Sequence, residues 1–234
     1  MSAVLITGVH TGIGLALAES FLDSDWTVHG LSRRAPASLA GRDGFDFKTL
    51  DLSDFDSIAP AISDLGDLDL VVLNAGVLGR LADWGDQSTA EIRRVMDINV
   101  WANRVLLDGL FAGTRKVKQV VGISSGAAVN CSGGWGPYSV SKAALNALLQ
   151  VYSEEKPETH FTALAPGVIR TAMTEGIFSI AGDEKHGATT RVQATAGTAT
   201  LQTPESAAKR LRSAFPVLLN EPSGSFLDVR SMQL

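Results

Sequence analysis

The stretch AVLITGVHTGIGLALAESFL, residues 3–22, decides the fold. Ala3 to Thr7 is a short apolar run; Gly8, Gly12 and Gly14 crowd the turn behind it; and apolar Leu15, Leu17, Ala18, Phe21 and Leu22 follow in a helical pattern. A strand, a glycine-rich turn and a helix in that order let a backbone close on a phosphate. Gly8 allows the tight turn, Gly12 lets the main chain approach a pyrophosphate at the helix N-terminus, and Gly14 permits close packing of helix on strand. His10, Thr11 and Ile13 fill the turn and are candidate cofactor contacts with the glycines. The spacing is GxxxGxG, not GxGxxG, and no Gly-Lys-Ser/Thr follows, which excludes a P-loop.

Outward from this unit, short apolar runs alternate with longer helix-like stretches, the signature of repeated βαβ units. Strands are expected at Ala3–Thr7, Thr27–Leu31, Phe47–Leu50, Leu70–Leu73, Val117–Ser124, Phe161–Ala165 and Ser225–Val229. Helices are expected at Gly14–Ser24, Asp54–Leu65, Ser88–Leu110, Tyr138–Ser153 and Pro204–Phe215, the last with Thr203 as N-cap and proline at the first helical position. Seven strands fit one α/β domain over residues 1–234: a Rossmann-type, doubly wound parallel sheet with helices on both faces. No repeat, low-complexity tract or linker divides the chain. Residues 171–202, rich in Gly, Ala and Thr and without clear periodicity, are expected to form a substrate lid.

Composition narrows the function. The chain has 234 residues, 45% hydrophobic and 19% charged, with 20 basic against 25 acidic side chains and a formal charge of −5. That balance, without a run of like charge, argues against nucleic-acid binding. The single cysteine, Cys131, excludes an internal disulfide, and His10, His29, His160 and His186 show no metal-ligand spacing, so no metal is expected. The uncharged opening lacks the basic flank of a signal peptide, and no apolar run approaches the ~20 residues of a membrane span. The expectation is a cytoplasmic protein with no membrane partner.

After the second strand stand Ser32, Arg33 and Arg34, where an NAD-specific site would place an acid for the ribose 2′-hydroxyl. Guanidinium groups recognise phosphate through several donors, so these residues suggest the 2′-phosphate of NADP(H), with NAD(H) as the lesser option. Tyr138 and Lys142, four apart at the start of an apolar-patterned helix, share one face. An ammonium there is expected to lower the pKa of a phenol that otherwise titrates near ~10. Ser125 ends a strand thirteen residues earlier, and its hydroxyl can donate to a carbonyl oxygen while Tyr138 moves the proton.

With these residues the chain resembles the classical short-chain dehydrogenase/reductases. The shared parts are the turn at Thr7–Gly14, Asp51, Asn74-Ala75-Gly76, Asn99, Ser125, Tyr138 with Lys142, and Pro166-Gly167 with Thr171, in the family's order. The resemblance implies Tyr138 as general acid/base, Ser125 as substrate-orienting donor, Lys142 as the residue that binds the nicotinamide ribose and tunes Tyr138, and Asn99 as holder of a proton-relay water. It also implies that Asp51 and Leu52 meet the adenine, that Asn74, Ala75 and Gly76 line the cleft, and that Pro166, Gly167, Ile169 and Thr171 hold the nicotinamide end. Leu73, where the family often has a second Asn, and Thr11, where many NADP-dependent members carry a basic residue, depart from the pattern.

The segments Ile123–Ala128 and Gly134–Tyr138 are similar to the benzil reductase and sepiapterin reductase branch, which implies a small-molecule ketone or diketone substrate beside a flat, aromatic or pterin-like group. Asp228 matches the spacing of a pterin-anchoring acid. Trp135 and Phe178 are candidate substrate contacts as well as candidate core residues, and Trp84 and Trp101 read as core or interface. The family also implies a homodimer or homotetramer through the helices at Ser88–Leu110 and Tyr138–Ser153. Two other readings compete with an NADPH-dependent carbonyl reductase: an NAD-dependent secondary-alcohol dehydrogenase, and a non-catalytic NADP-binding sensor module.

Overall fold

The computed structural model describes residues 2–180 and 186–234. In chain order the elements are β1 (Ala3–Thr7), α1 (Gly12–Leu22), β2 (Thr27–Ser32), β3 (Phe45–Thr49), α2 (Ile58–Ala61), β4 (Leu68–Leu73), α3 (Thr89–Met96), α4 (Ala102–Phe111), β5 (Val117–Ile123), α5 (Ala127–Asn130), α6 (Gly136–Glu155), β6 (His160–Ala165), α7 (Ala172–Phe178), α8 (Gly187–Gln193), α9 (Pro204–Leu218) and β7 (Ser225–Asp228). The strands form one sheet in the order β3-β2-β1-β4-β5-β6-β7, and every neighbouring pair is parallel. The order reverses between β1 and β4, and a ligand crevice is expected beyond the carboxyl ends of strands at such a point.

Alternation along the strands feeds two cores. Val4 and Ile6 face one side, where Leu17 and Phe21 of α1 and Leu211, Phe215 and Leu218 of α9 cover them. Leu5, Val71 and Leu73 face the other, under Leu106 and Leu110 of α4 and Leu145, Leu149 and Tyr152 of α6. The seven-stranded sheet with helices on both faces is therefore the architecture expected from the alternating pattern.

Several local expectations need correction. The helix expected at Asp54–Leu65 is a 3-10 turn at Phe55–Ser57 followed by the four residues of α2. In a continuous helix Pro60 would sit in the interior, without an N–H and against the preceding turn. The strand expected at Phe47–Leu50 starts at Phe45, and β4 starts two residues early, at Leu68. The helix expected from Ser88 does start there, with a capping box between Ser88 and Glu91, but a π segment at Asp97–Trp101 separates α3 from α4. Residues 171–202 are not an irregular loop, since they contain α7 and α8. Residues 181–185 of that segment lie outside the described residues. Thr203 caps α9 as expected, its hydroxyl accepting from the Ser206 N–H at 3.2 Å.

Candidate active site

The crevice at the switch point is a cavity of about 760 Å³, within the range of small-molecule sites. One wall is the turn after β1. Gly12 opens α1 with φ +63°, Thr11, its N-cap, makes no side-chain cap, and Thr11, Gly12 and Ile13 of this uncapped N-terminus line the cavity. Such an N-terminus favours an anion. Gly14 lies behind the wall: a Cβ there would stand 2.3 Å from the Gly8 carbonyl oxygen and 2.6 Å from Asn74 Nδ2. Only glycine permits that approach.

Asn74 stitches the wall to β4. Its Nδ2 donates to the carbonyls of Thr7 (2.9 Å) and Gly8 (3.3 Å), and the N–H groups of Asn74 and Ala75 both reach Thr7 Oγ1 at 3.0 Å. At the far end stand Ser32, Arg33, Arg34, Asp51 and Leu52. Asp51 Oδ1 accepts from the N–H (3.0 Å) and the hydroxyl (2.8 Å) of Ser53. These bonds, with Arg33 and Arg94 nearby, hold its carboxyl below the usual range. Along the opposite wall Thr171 caps α7, and Thr174 Oγ1 donates to Ile169 O at 2.8 Å. His10 Nδ1 is buried and has no partner among the described residues.

The reactive side chains sit at the other end. Tyr138 and Lys142 rise from the first turns of α6, and both are buried. Lys142 Nζ donates to the Ile123 carbonyl at 2.6 Å and lies 5.8 Å from the centre of the Tyr138 ring. Burial alone depresses Lys142, to about 8. Burial pushes Tyr138 up, and a hydrogen bond with the Ser125 hydroxyl opposes that without overcoming it. The expectation that Lys142 lowers the phenol's pKa is therefore corrected: desolvation dominates both groups, and the ammonium is committed to Ile123. Ser125 Oγ also accepts from the Ala127 N–H at 3.1 Å, which fixes its place at the start of α5.

Asn99 does not line the cavity. Fully buried in the π segment, it accepts from the Val77 N–H at 2.8 Å and donates to Val77 O and Ser141 Oγ, each at 2.9 Å. Its own carbonyl accepts from Asn103 Nδ2 at 2.8 Å. It thus ties the loop after β4 to α6 just beneath Lys142. Of the expected substrate contacts, Trp135 is in place: it lines the cavity, meets Tyr138 edge-on with ring centroids 5.9 Å apart, and donates through Nε1 to Thr189 Oγ1 at 3.2 Å. Phe178 and Asp228 are not among the residues that line it. Phe178 ends α7 beyond the cavity wall. Asp228 accepts from the Arg230 N–H (2.9 Å), Nε (2.9 and 3.2 Å) and Nη2 (2.6 Å), which hold its carboxyl low and occupy both oxygens.

The structure adds residues that the sequence did not single out. Val77, Ile98, Val168, Met173, Ile177 and Val192 line the same cavity. Val77 follows Gly76 and Ile98 precedes Asn99, so adjacency to a motif was their only signal. Met173, Ile177 and Val192 come from α7 and α8, which, with Trp135 and Tyr138, form a small apolar cluster of their own. Among the described residues no three His, Cys, Asp or Glu side chains are grouped to hold a metal, and no helix is long and apolar enough to cross a membrane.

A parallel sheet reversed at its centre, a helix N-terminus open to anions, and a serine, tyrosine and lysine around one end of an elongated cleft define an oxidoreductase that works with a bound dinucleotide. Residues 2–180 match the short chain dehydrogenase family, and the chain belongs to it as an NAD(P)-dependent oxidoreductase. An uncharacterised oxidoreductase of Schizosaccharomyces pombe is 34% identical over 97% of this chain and 96% of its own length. A benzil reductase ((S)-benzoin forming) of Bacillus subtilis is 30% identical over 80% of this chain and 82% of its own. A crystal structure of a short-chain dehydrogenase/reductase from Saccharomyces cerevisiae superposes with a TM-score of 0.84 over 99% of this chain and 97% of its own, at 23% identity. The benzil reductase similarity places the chain close to the branch that its sequence resembles.

Proposed function

We propose that this protein is an NADPH-dependent carbonyl reductase that acts on an uncharged ketone or diketone beside a flat apolar group. The observation that carries the reading is the pairing of Ser125 with a buried, proton-retaining Tyr138 under an apolar roof, at the opposite end of one cleft from Arg33 and Arg34. The residues fit the dinucleotide. The open N-terminus of α1 suits its pyrophosphate, Ser32, Arg33 and Arg34 its 2′-phosphate, and Asp51 and Leu52 its adenine. Asn74, Ala75, Gly76, Pro166, Gly167, Ile169 and Thr171 wall the remainder.

When bound, the nicotinamide supplies the hydride. The protein's part is to hold the carbonyl and manage a proton. Ser125 donates a hydrogen bond to the substrate oxygen and fixes its orientation. Tyr138, kept protonated by burial, gives its proton to the oxygen as negative charge develops there, since an alkoxide is a stronger base than a phenolate. Lys142 brings positive charge within one turn of that phenol, and Asn99 acts as a positioning residue through Val77 and Ser141. The described parts of residues 171–202 serve as the lid of a single catalytic unit: α7 and α8 exclude water over Trp135 and Tyr138. We also propose a homo-oligomer, assembled through the α4 and α6 faces.

The test is oxidation of NADPH at 340 nm against benzil, sepiapterin and a simple aldehyde, repeated with NADH and with Tyr138→Phe. The expected result is turnover with NADPH, weaker turnover with NADH, and a loss of about 10²- to 10⁴-fold in kcat for the variant. Tight NADPH binding without turnover of any carbonyl would favour a nucleotide sensor, and better activity with NAD on alcohols would favour the dehydrogenase.

A further inference from the structure

Pro166 and Gly167 line the cleft, and Gly167 holds φ +87°, a conformation that side chains disfavour. The space that a Cβ on Gly167 would take is bordered by Gln202 Nε2 at 3.2 Å and by Cδ and Cγ of Arg230 at 3.5 and 3.7 Å. Neither Gln202 nor Arg230 is among the residues that line the cleft, so both back the turn from behind. Register brings Arg230 there: β7 pairs with β6 in parallel, Asp228 opposite Ala165, and Arg230 and Gly167 each stand two residues further on. Asp228 then ties the guanidinium down. Arg230 Nε donates to both carboxylate oxygens at 2.9 and 3.2 Å, and Nη2 donates to Oδ2 at 2.6 Å, a fork that fixes the plane of the group. Around it the Ser231 hydroxyl donates to Asp228 O at 2.8 Å and Arg210 of α9 to Val229 O at 3.0 Å. On the other flank the main chain of Gln202 donates to Val168 O at 3.1 Å and accepts from the Arg170 N–H at 2.9 Å. An ion pair whose arginine side chain is 51% exposed adds little to global stability. What the fork does fix is the place of the arginine stem against the turn.

We infer that Asp228 and Arg230 are positioning residues for the nicotinamide end of the bound dinucleotide: the carboxylate holds the arginine stem against Gly167, and the stem holds the turn in the shape that the cofactor meets. This role rests on the reading of the cleft in which Pro166 and Gly167 meet the nicotinamide while Arg33 and Arg34 meet the adenine half. Asp228 acts through Arg230 and touches neither substrate nor cofactor. The two halves of the cofactor therefore respond differently to loss of the clasp, because an adenine fragment ends before the turn.

The test is calorimetric titration of NADPH and of the adenine fragments 2′,5′-ADP and ADP into the wild type, Arg230→Ala, Asp228→Asn and Arg230→Lys. In Arg230→Ala the Kd of NADPH is expected to rise by about threefold to tenfold, the equivalent of one hydrogen bond lost at the nicotinamide end, while fragment affinity is retained. The emission of the bound dihydronicotinamide should fall towards that of free NADPH in the same variant. Asp228→Asn leaves the arginine one acceptor oxygen in place of two; it should move NADPH in the same direction, and it decides the matter if Arg230→Ala does not fold. Arg230→Lys keeps the stem and one ion-pair bond, and should restore NADPH affinity to within about twofold of the wild type. Proportional loss of NADPH and fragments, no change in either, or a lysine variant as weak as the alanine variant overturns the clasp alone. If no nucleotide binds the wild type, the dinucleotide reading of the cleft fails, and the clasp falls with it.

Discussion

Lys142 carries its amine into the fold with 4% of the residue exposed, and burial brings the group down from 10.5 to about 8. Below pH 8 the folded and unfolded chains both hold the proton, and the native state bears the whole cost of burying an ammonium against one carbonyl. Between 8 and 10.5 only the unfolded chain keeps it, so stability rises with pH across that window. Lys142→Met is therefore expected to be more stable than wild type at pH 7, by an amount on the order of 3 kcal/mol, while losing its reductase activity. The gap should close as the pH is raised from 8 towards 10.5. A scanning-calorimetry series that finds the variant less stable at pH 7, or a gap insensitive to pH, would refute this account. The Tyr138–Lys142 pairing was legible in the sequence because four residues make one helical turn. The direction of the phenol's shift was not, because it depends on Trp135, Ile177 and the rest of what covers the ring, and those contacts are tertiary.

Among the elements, α8 is the least expected and the most directly tied to the site. Seven residues give too few turns for a visible period, and only Thr189 of them is buried. Yet this helix supplies the acceptor for Trp135 Nε1, and its Arg191 reaches Ser132 Oγ at 2.9 Å while His186 at its N-cap meets Asp83 at 2.8 Å. The first two contacts hold the segment around Trp135, and the third ties the N-terminus of α8 to the loop at Asp83. Thr189→Val keeps the shape and removes the acceptor, leaving a buried indole N–H unpaired at a cost of about 1–3 kcal/mol. The expected outcome is a several-fold rise in KM for the ketone with NADPH affinity retained, measured by steady-state kinetics and fluorescence titration; equal loss of both would mean that α8 supports the whole cleft and not its substrate end. The same contrast explains which elements could be read beforehand. β1, α1, α6 and α9 each bury a regular stripe or run, so pattern alone locates them. The π segment has no such mark: it rotates Asn99 inward by a backbone adjustment whose reason is the Val77 amide and carbonyl that Asn99 satisfies, and insertions of this kind recur at functional sites.

At the scale of the molecule, two surfaces follow from the sheet order. Trp101 is 46% exposed, and Val140 and Val151 stand exposed on α6, so the proposed oligomer buries apolar area on the face of α4 and α6. Trp101→Glu is expected to shift the mass seen by light scattering towards the monomer, and an unchanged mass would move the interface elsewhere. The second surface is internal. Because the order reverses between β1 and β4, the cleft is walled by both halves of the sheet: the turn after β1 and the ends of β2 and β3 on one side, the ends of β4, β5 and β6 on the other. A dinucleotide held there contacts the native state across the reversal and has no comparable site on the unfolded chain, so it stabilises by mass action, about 2.7 kcal/mol at a hundredfold excess over Kd. For a chain of this length that is a rise in Tm of roughly 5–10 °C. With Arg33 and Arg34 at the adenine end, NADPH should produce this rise at concentrations where NADH produces far less. Arg33→Ala should bring the NADPH curve down towards that of NADH, because only the 2′-phosphate distinguishes them. Equal shifts from both cofactors in the wild type would show that the cleft does not prefer NADPH, and a variant that loses both in proportion would show that Arg33 does not read the 2′-phosphate.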